Sequence, residues 1–167
     1  FVGHIVFVHS EVSWNGDKGN TAFEEIKKIA DPVKKFVHLN CNGSQAEQYK
    51  TGLHYIQNNL KSEFIMLIDL DEVWDESNLK KAISHLSCQG INAWSCKMHT
   101  YLKHPLLKVD PEEPCTPAIF IRASVSEILG VRGNKIKPAK EMDVKFHHFT
   151  GVRRDLDSIL DKIRLSN

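Results

Sequence analysis

What the chain lacks narrows its class first. No apolar run approaches the ~20 residues that a bilayer-spanning helix needs, and no secretory leader is recognisable. Neither sign of charge dominates: Lys plus Arg is 22, Asp plus Glu is 21, and the net charge is +1. That balance argues against a basic nucleic-acid arm or a polybasic membrane anchor. The four cysteines, Cys41, Cys88, Cys96 and Cys115, form no C-x-x-C pair. Free thiols in a reducing compartment are expected, with a Cys88–Cys96 disulfide left open. The expected location is the cytoplasm, either free or at the periphery of a membrane. Internal repeats, low-complexity tracts and visible domain boundaries are also missing, so residues 1–167 are expected to form one domain with a real hydrophobic core.

What is present is an alternation of short apolar runs and helical patterns. Ile5-Val6-Phe7-Val8 and Phe36-Val37-His38-Leu39 read as buried strands. Between them Thr21-Ala22-Phe23-Glu24 has the form of a capping box, and Pro32 stops the helix that it opens. Ser44-x-x-Glu47 is a second capping box, followed by Ala46, Tyr49, Leu53, Ile56 and Leu60 at spacings of three and four, an amphipathic helix. Leu79, Ile83 and Leu86 mark another helix. Strands are expected over 64–69, 91–101, 118–122 and 145–150. Residues 103–117 carry Pro105, Pro111 and Pro114 and should form a long loop. Asp155 can cap a last helix containing Leu156, Ile159, Leu160 and Ile163. The order β-α-β-α-β-α-β predicts an α/β fold with a mostly parallel, doubly covered sheet, in which ligands bind beyond the carboxyl ends of the strands.

The chemistry concentrates at Asp69-Leu70-Asp71-Glu72, three acids within four residues directly after Phe64-Ile65-Met66-Leu67-Ile68. Burying an unpaired carboxylate is costly, so acids at the end of a core strand call for partners. In extended backbone Asp69 and Asp71 point to one side, and two hard oxygen ligands there suit Mg²⁺ or Mn²⁺ with phosphate oxygens completing the shell. The bland alternative is a solvated turn leading into the helix near Asp75. Trp74 can stack on a sugar or pack in the core; Trp94 reads as core.

Two families share such an arrangement. Asp69-Leu70-Asp71-Glu72-Val73 matches the D-x-D-x-[TV] motif of the haloacid-dehalogenase-like phosphatases, which implies Asp69 as nucleophile and Asp71 as general acid. The chain resembles the glycosyltransferases of the GT-A fold, family-2 type, over a longer stretch. There a helix and a short turn lead into a strand ending D-x-D-E, as residues 44–73 do here. A second segment, Lys145-Phe146-His147-His148-Phe149-Thr150-Gly151-Val152-Arg153, is similar to that family's H-H-aromatic-Ser/Thr-x-Val-Arg.

This resemblance implies a Rossmann-like sheet and metal-dependent transfer of a sugar from a UDP- or GDP-linked donor to a glycan or other hydroxyl acceptor, in the inverting sense. It implies Mn²⁺ or Mg²⁺ bound by Asp71, Asp69 and His148. Donor contacts would come from His9, Glu11, Gln48, Lys50, Asp69 and Arg153, with Asp69 and Asp71 in the catalytic centre. Among Asp110, Glu112 and Glu113, Glu113 is the residue assigned as acceptor base. If His147 and His148 lie on a strand, one faces inward and the other away. Ile5-Val6-Phe7-Val8 aligns with the family's second strand, so the usual first strand is expected to be missing and the chain to be an N-terminally trimmed piece. A non-catalytic domain that keeps the fold and binds carbohydrate or protein is the remaining alternative.

Overall fold

The computed structural model describes residues 3–11, 35–128 and 131–152. The chain divides into two compact units, Phe1–Glu63 with Ser126–Ile128, and Phe64–Val125 with Leu129–Asn167. The helices expected after Thr21 and after Asp155 lie outside the described residues.

In the first unit, the β-branched and aromatic runs form β1 (Ile5–His9) and β2 (Phe36–Asn40). The two are parallel, with Ile5 opposite Phe36 and His9 opposite Asn40. The Phe7 ring meets Phe36 edge-on at 5.6 Å and stacks on His38 at 5.3 Å. Helix α1 (Gln45–Asn59) opens with the expected capping box: Ser44 Oγ accepts from the Glu47 N–H, and the Glu47 carboxylate accepts from the Ser44 N–H at 2.7 Å. Leu53 is buried. Gly52 allows the helix to sit close on β1, because a Cβ there would stand 3.1 Å from Val8 Cγ2.

Among its described residues, the second unit has a mixed five-stranded sheet, one α-helix and two 3₁₀ turns. Its strands are β3 (Phe64–Met66), β4 (Glu72–Val73), β5 (Ala93–Leu102), β6 (Ala118–Arg122) and β7 (Ala139–Gly151). They lie in the order β3-β6-β5-β7-β4. Only β5–β7 is parallel; β3–β6, β5–β6 and β4–β7 are antiparallel. The described elements mix helices and strands as an α/β reading requires, while their pairings are more antiparallel than the expected β-α-β order implies. The long loop 103–117 returns the chain beside β5 without a crossover helix, which permits antiparallel pairing with β6. Strand β7 also begins earlier than its expected start at 145. Met142, Val144 and Phe146 point into the core and alternate with Glu141, Asp143 and Lys145, and this alternation is the signature of a strand with one wet face.

Helix α2 (Glu76–Ser84) starts at Asp75, whose carboxylate accepts from the Asn78 N–H at 2.8 Å and from Ser77 Oγ at 2.7 Å. The Asn78 amide bond and the Ser77 bond hold this carboxyl down at about 2. The helix runs into a 3₁₀ turn at His85–Ser87 and packs against β7. Ala82 and Leu86 join Trp94, Cys96, Met98, Ile119, Phe120, Met142, Val144 and Phe146 in one core cluster. Trp94 is fully enclosed. Trp74 stacks on Phe146, with ring centroids 5.4 Å apart and planes at 15°, so it packs in the core rather than standing open. The four cysteines are unpaired, and burial pushes the Cys96 thiol up to about 12. No described helix is long and apolar enough to cross a membrane.

Candidate functional site

The acid cluster is carried on a turn rather than on a strand. Regular strand geometry ends at Met66, and Leu67 N–H makes one more bond, to the Ile119 carbonyl (2.7 Å). Glu72 N–H then closes back on the Asp69 carbonyl at 3.1 Å. The expectation that Asp69 and Asp71 share one side of an extended segment is thus corrected. The cause is Glu72. Its side chain is fully buried under the turn, where one oxygen accepts from the Asp69 N–H at 3.0 Å.

A buried carboxylate needs a partner, and Arg132 supplies it. Both guanidinium nitrogens of the fork reach Glu72: Nη1 bonds Oε1, and Nη2 bonds Oε2 at 3.0 Å. Nη2 also donates to the Leu67 carbonyl at 2.8 Å. Burial pushes the Glu72 carboxyl above the usual carboxylate range, while the Arg132 fork pulls it back down. Arg132 itself takes up left-handed backbone, with φ 51° and ψ 39°, an uncommon conformation for a residue with a side chain.

Past the turn, β4 pairs with β7 so that Glu72 lies opposite His148, and Phe149 N–H donates to the Asp71 carbonyl at 2.8 Å. This register brings Asp71 Oδ1 to 3.9 Å from His148 Nε2. Asp69 points elsewhere: its Oδ2 lies 3.7 Å from Arg132 Nη1, and its side chain is 40% exposed. The two histidines occupy a strand as expected and face opposite ways. His148 shares the core-side row with buried Thr100, while His147 shares a hydrogen bond with the Tyr101 hydroxyl at 2.8 Å.

Can this arrangement hold a divalent ion? Two ligands bound at about 2.1 Å stand roughly 3–4.2 Å apart, depending on the angle at the metal. The 3.9 Å between the Asp71 oxygen and the His148 nitrogen falls inside that range and is too long for a hydrogen bond. A carboxylate and an imidazole are acceptable donors for Mn²⁺. Among the described residues no group of three His, Cys, Asp or Glu side chains gathers to hold a metal. Asp71 and His148 would be two ligands of an octahedral shell, a third of it, and phosphate oxygens and water would have to supply the rest.

Four of the other expected residues belong to the first unit. His9 and Glu11 stand at the end of β1, and Gln48 and Lys50 lie on α1, all in the first unit. Glu11 Oε1 accepts from Asn40 Nδ2 at 3.0 Å, and Gln48 Nε2 donates to the Gly43 carbonyl at 3.2 Å. Lys50 is exposed. Arg153 lies outside the described residues. Glu113 is half-buried on the loop 103–117, and among the described residues no hydrogen bond or ion pair joins it to Asp69, Asp71 or His148.

Its neighbour Glu112 is the engaged acid of that loop. It accepts from Lys145 Nζ with both oxygens at 2.7 Å and lies 3.1 Å from His99 Nδ1. The Lys145 bond holds the Glu112 carboxyl below its usual range. This contact clasps the loop to the His99–His147 face of β5 and β7, the face turned away from His148. A cleft of about 430 Å³ is lined by Ser95, Cys115, Asn134, Lys137 and Glu141, among others, and by none of the expected site residues.

Glu72 and Arg132 are the residues whose roles sequence reasoning missed. Glu72 was visible as a third acid after D-x-D. Arg132 was visible only as a lone cation in Gly130-Val131-Arg132-Gly133, between two glycines. No family model, no curated protein and no solved structure matches this chain.

Proposed function

We propose that this chain is a GT-A-type, family-2-like glycosyltransferase domain. It transfers a sugar from a UDP- or GDP-linked donor to a glycan or other hydroxyl acceptor. The observation that carries the reading is Asp71 facing His148 at 3.9 Å across the β4–β7 register, two residues from separate motifs of the resemblance.

In this reading Asp71 and His148 hold Mn²⁺ or Mg²⁺ against the donor diphosphate. The ion supplies charge neutralisation as the diphosphate departs. Asp71 is aimed by its own backbone, because the Phe149 N–H ties the Asp71 carbonyl to β7. His148 is aimed by its place on β7, 19% exposed, so its ring has few alternative directions. Asp69, more open and beside Arg132, is left to contact the donor.

The test is thermal melting of the full chain with Mn²⁺, with UDP or GDP, and with both. A ligand that binds only the folded state raises the melting temperature by mass action. Metal and nucleotide together should raise it more than either alone, and Asp71→Asn should remove the joint shift. Absence of any shift with metal, nucleotide or both would refute the proposal. Release of phosphate from a generic phosphoester, lost in Asp69→Asn, would move the assignment to the phosphatase alternative.

A further inference from the structure

The turn that carries the acids is held from below by one residue. Three hydrogen bonds outside strand pairing hold the backbone between Leu67 and Glu72. The Leu67 carbonyl takes Arg132 Nη2, the Asp69 N–H is taken by Glu72, and the Glu72 N–H closes on Asp69. Two of these three bonds pass through the Arg132–Glu72 pair. Both side chains are enclosed, at 6% and 0% exposure. Arg132 reaches the turn from a backbone conformation that side chains rarely adopt, and such conformations persist where the surroundings over-determine them.

The charges also divide in a particular way. Three carboxylates stand on this turn. Arg132 saturates Glu72 with both ends of its fork and faces Asp69 at 3.7 Å, which leaves Asp71 as the acid turned toward an imidazole.

We propose that Arg132 is the positioning residue of the carboxylate turn: it fixes Asp71 opposite His148 and withholds Asp69 from the cation, so that Asp71 and His148 are the chain's own metal ligands. The proposal rests on the metal reading given above. It adds an order among the acids: Glu72 is structural, Asp69 is held by a cation of the protein, and Asp71 is available.

The experiment uses the full chain with Mn²⁺ alone as probe. Mn²⁺ affinity is read by electron paramagnetic resonance and order in the turn by amide hydrogen exchange of residues 68–72, with the β5 amides as internal reference. Asp71→Asn should abolish Mn²⁺ binding, and Asp69→Asn should leave it little changed. The paired variant Glu72→Met with Arg132→Met removes both buried charges at similar volume, and such replacements commonly keep the fold. It should weaken Mn²⁺ binding about tenfold or more, the usual loss when a residue that orients a ligand is removed. Its turn amides should exchange faster while β5 is unchanged. Arg132→Lys keeps the charge without the fork and should fall between.

A pair that served stability alone would lower the melting temperature and leave the Mn²⁺ affinity of the folded variant intact; that result overturns the proposal. Equal loss of binding in Asp69→Asn and Asp71→Asn overturns it too. If the double variant does not fold, Arg132→Lys decides by the same two readouts. If the unaltered chain binds no Mn²⁺, the metal reading fails, and with it the assignment of ligands. Hydrogen exchange then decides the part that remains: slow, unchanged exchange of 68–72 in the folded variants overturns the positioning role, and faster exchange supports it.

Discussion

Among the residues, the three acids of the turn have three fates that follow from burial. The Glu72 side chain is closed off from water, which disfavours its charged form, and Arg132 opposes that with two hydrogen bonds. Asp69 is part-exposed beside the Arg132 guanidinium, and Asp71 is part-exposed toward the His148 imidazole. Removing one partner of a buried pair leaves the other uncompensated, so Glu72→Ala should lower the free energy of unfolding by about 3–5 kcal/mol. Urea unfolding of the two proteins checks this value. The carboxylates themselves were legible in the sequence, since acids rarely follow five apolar residues without a role. Their division of labour was not. It depends on Arg132, sixty positions after Glu72, whose approach to the turn is fixed by a left-handed φ that no side-chain pattern announces. The spacing of His147 and His148 did announce that one faces in and one out, because strand parity is a local property.

Among the elements, those set by local chemistry were readable and those set by distant pairing were not. The capping box at Ser44 and the apolar spacing behind it located α1 almost to the residue, because caps act through neighbours three positions away. The apolar run at 118–122 was recognised in full as β6. The first half of β7 was missed because half its residues face water, and the direction of each pairing was missed because nothing local encodes it. Helix α2 yields a prediction about acid. Its cap, Asp75, has a folded-state carboxyl at about 2, below the ordinary 3.8. A lowered value means that the unfolded chain takes up the proton first. The cap's stabilisation is therefore fully present above about pH 4 and is lost as pH falls through about 2. Asp75→Asn keeps a capping side chain without the titration, so its urea midpoint should fall less steeply with acid over this window than that of the unaltered chain. His99 adds a change of the same sign at milder pH. Burial, with Lys108 and Lys145 nearby, lowers its value from 6.5 despite the attraction of Glu112, so acidification toward that lower value also costs stability where the loop is clasped.

At the scale of the molecule, the near-cancellation of charge matters more than any one group. With a net charge of +1 and a sequence pI near 7.9, molecules repel one another weakly at mildly alkaline pH. Solubility in low salt should pass through a minimum close to pH 7.9 and recover on either side, as precipitation assays across pH would show. The same balance leaves little long-range steering for any charged ligand. Compositional reading captured this level well, because charge and hydrophobic content add up residue by residue. The division into two units escaped it, since no proline- or glycine-rich linker stands at residue 63 and the first unit regains residues 126–128 from far along the chain.

The five-stranded sheet ends, on either side, in its two shortest members: β3 with three residues and β4 with two. An open sheet edge is a template on which another chain can add a strand, and its danger grows with the length of unpaired backbone. The long strands β5 and β7, with ten and thirteen residues, are both interior. The carboxylate turn links one edge of the sheet to the other. Among the described residues, ending β3 at Met66 and holding β4 to Glu72 and Val73 leaves little backbone at either edge on which a neighbouring chain could add a strand.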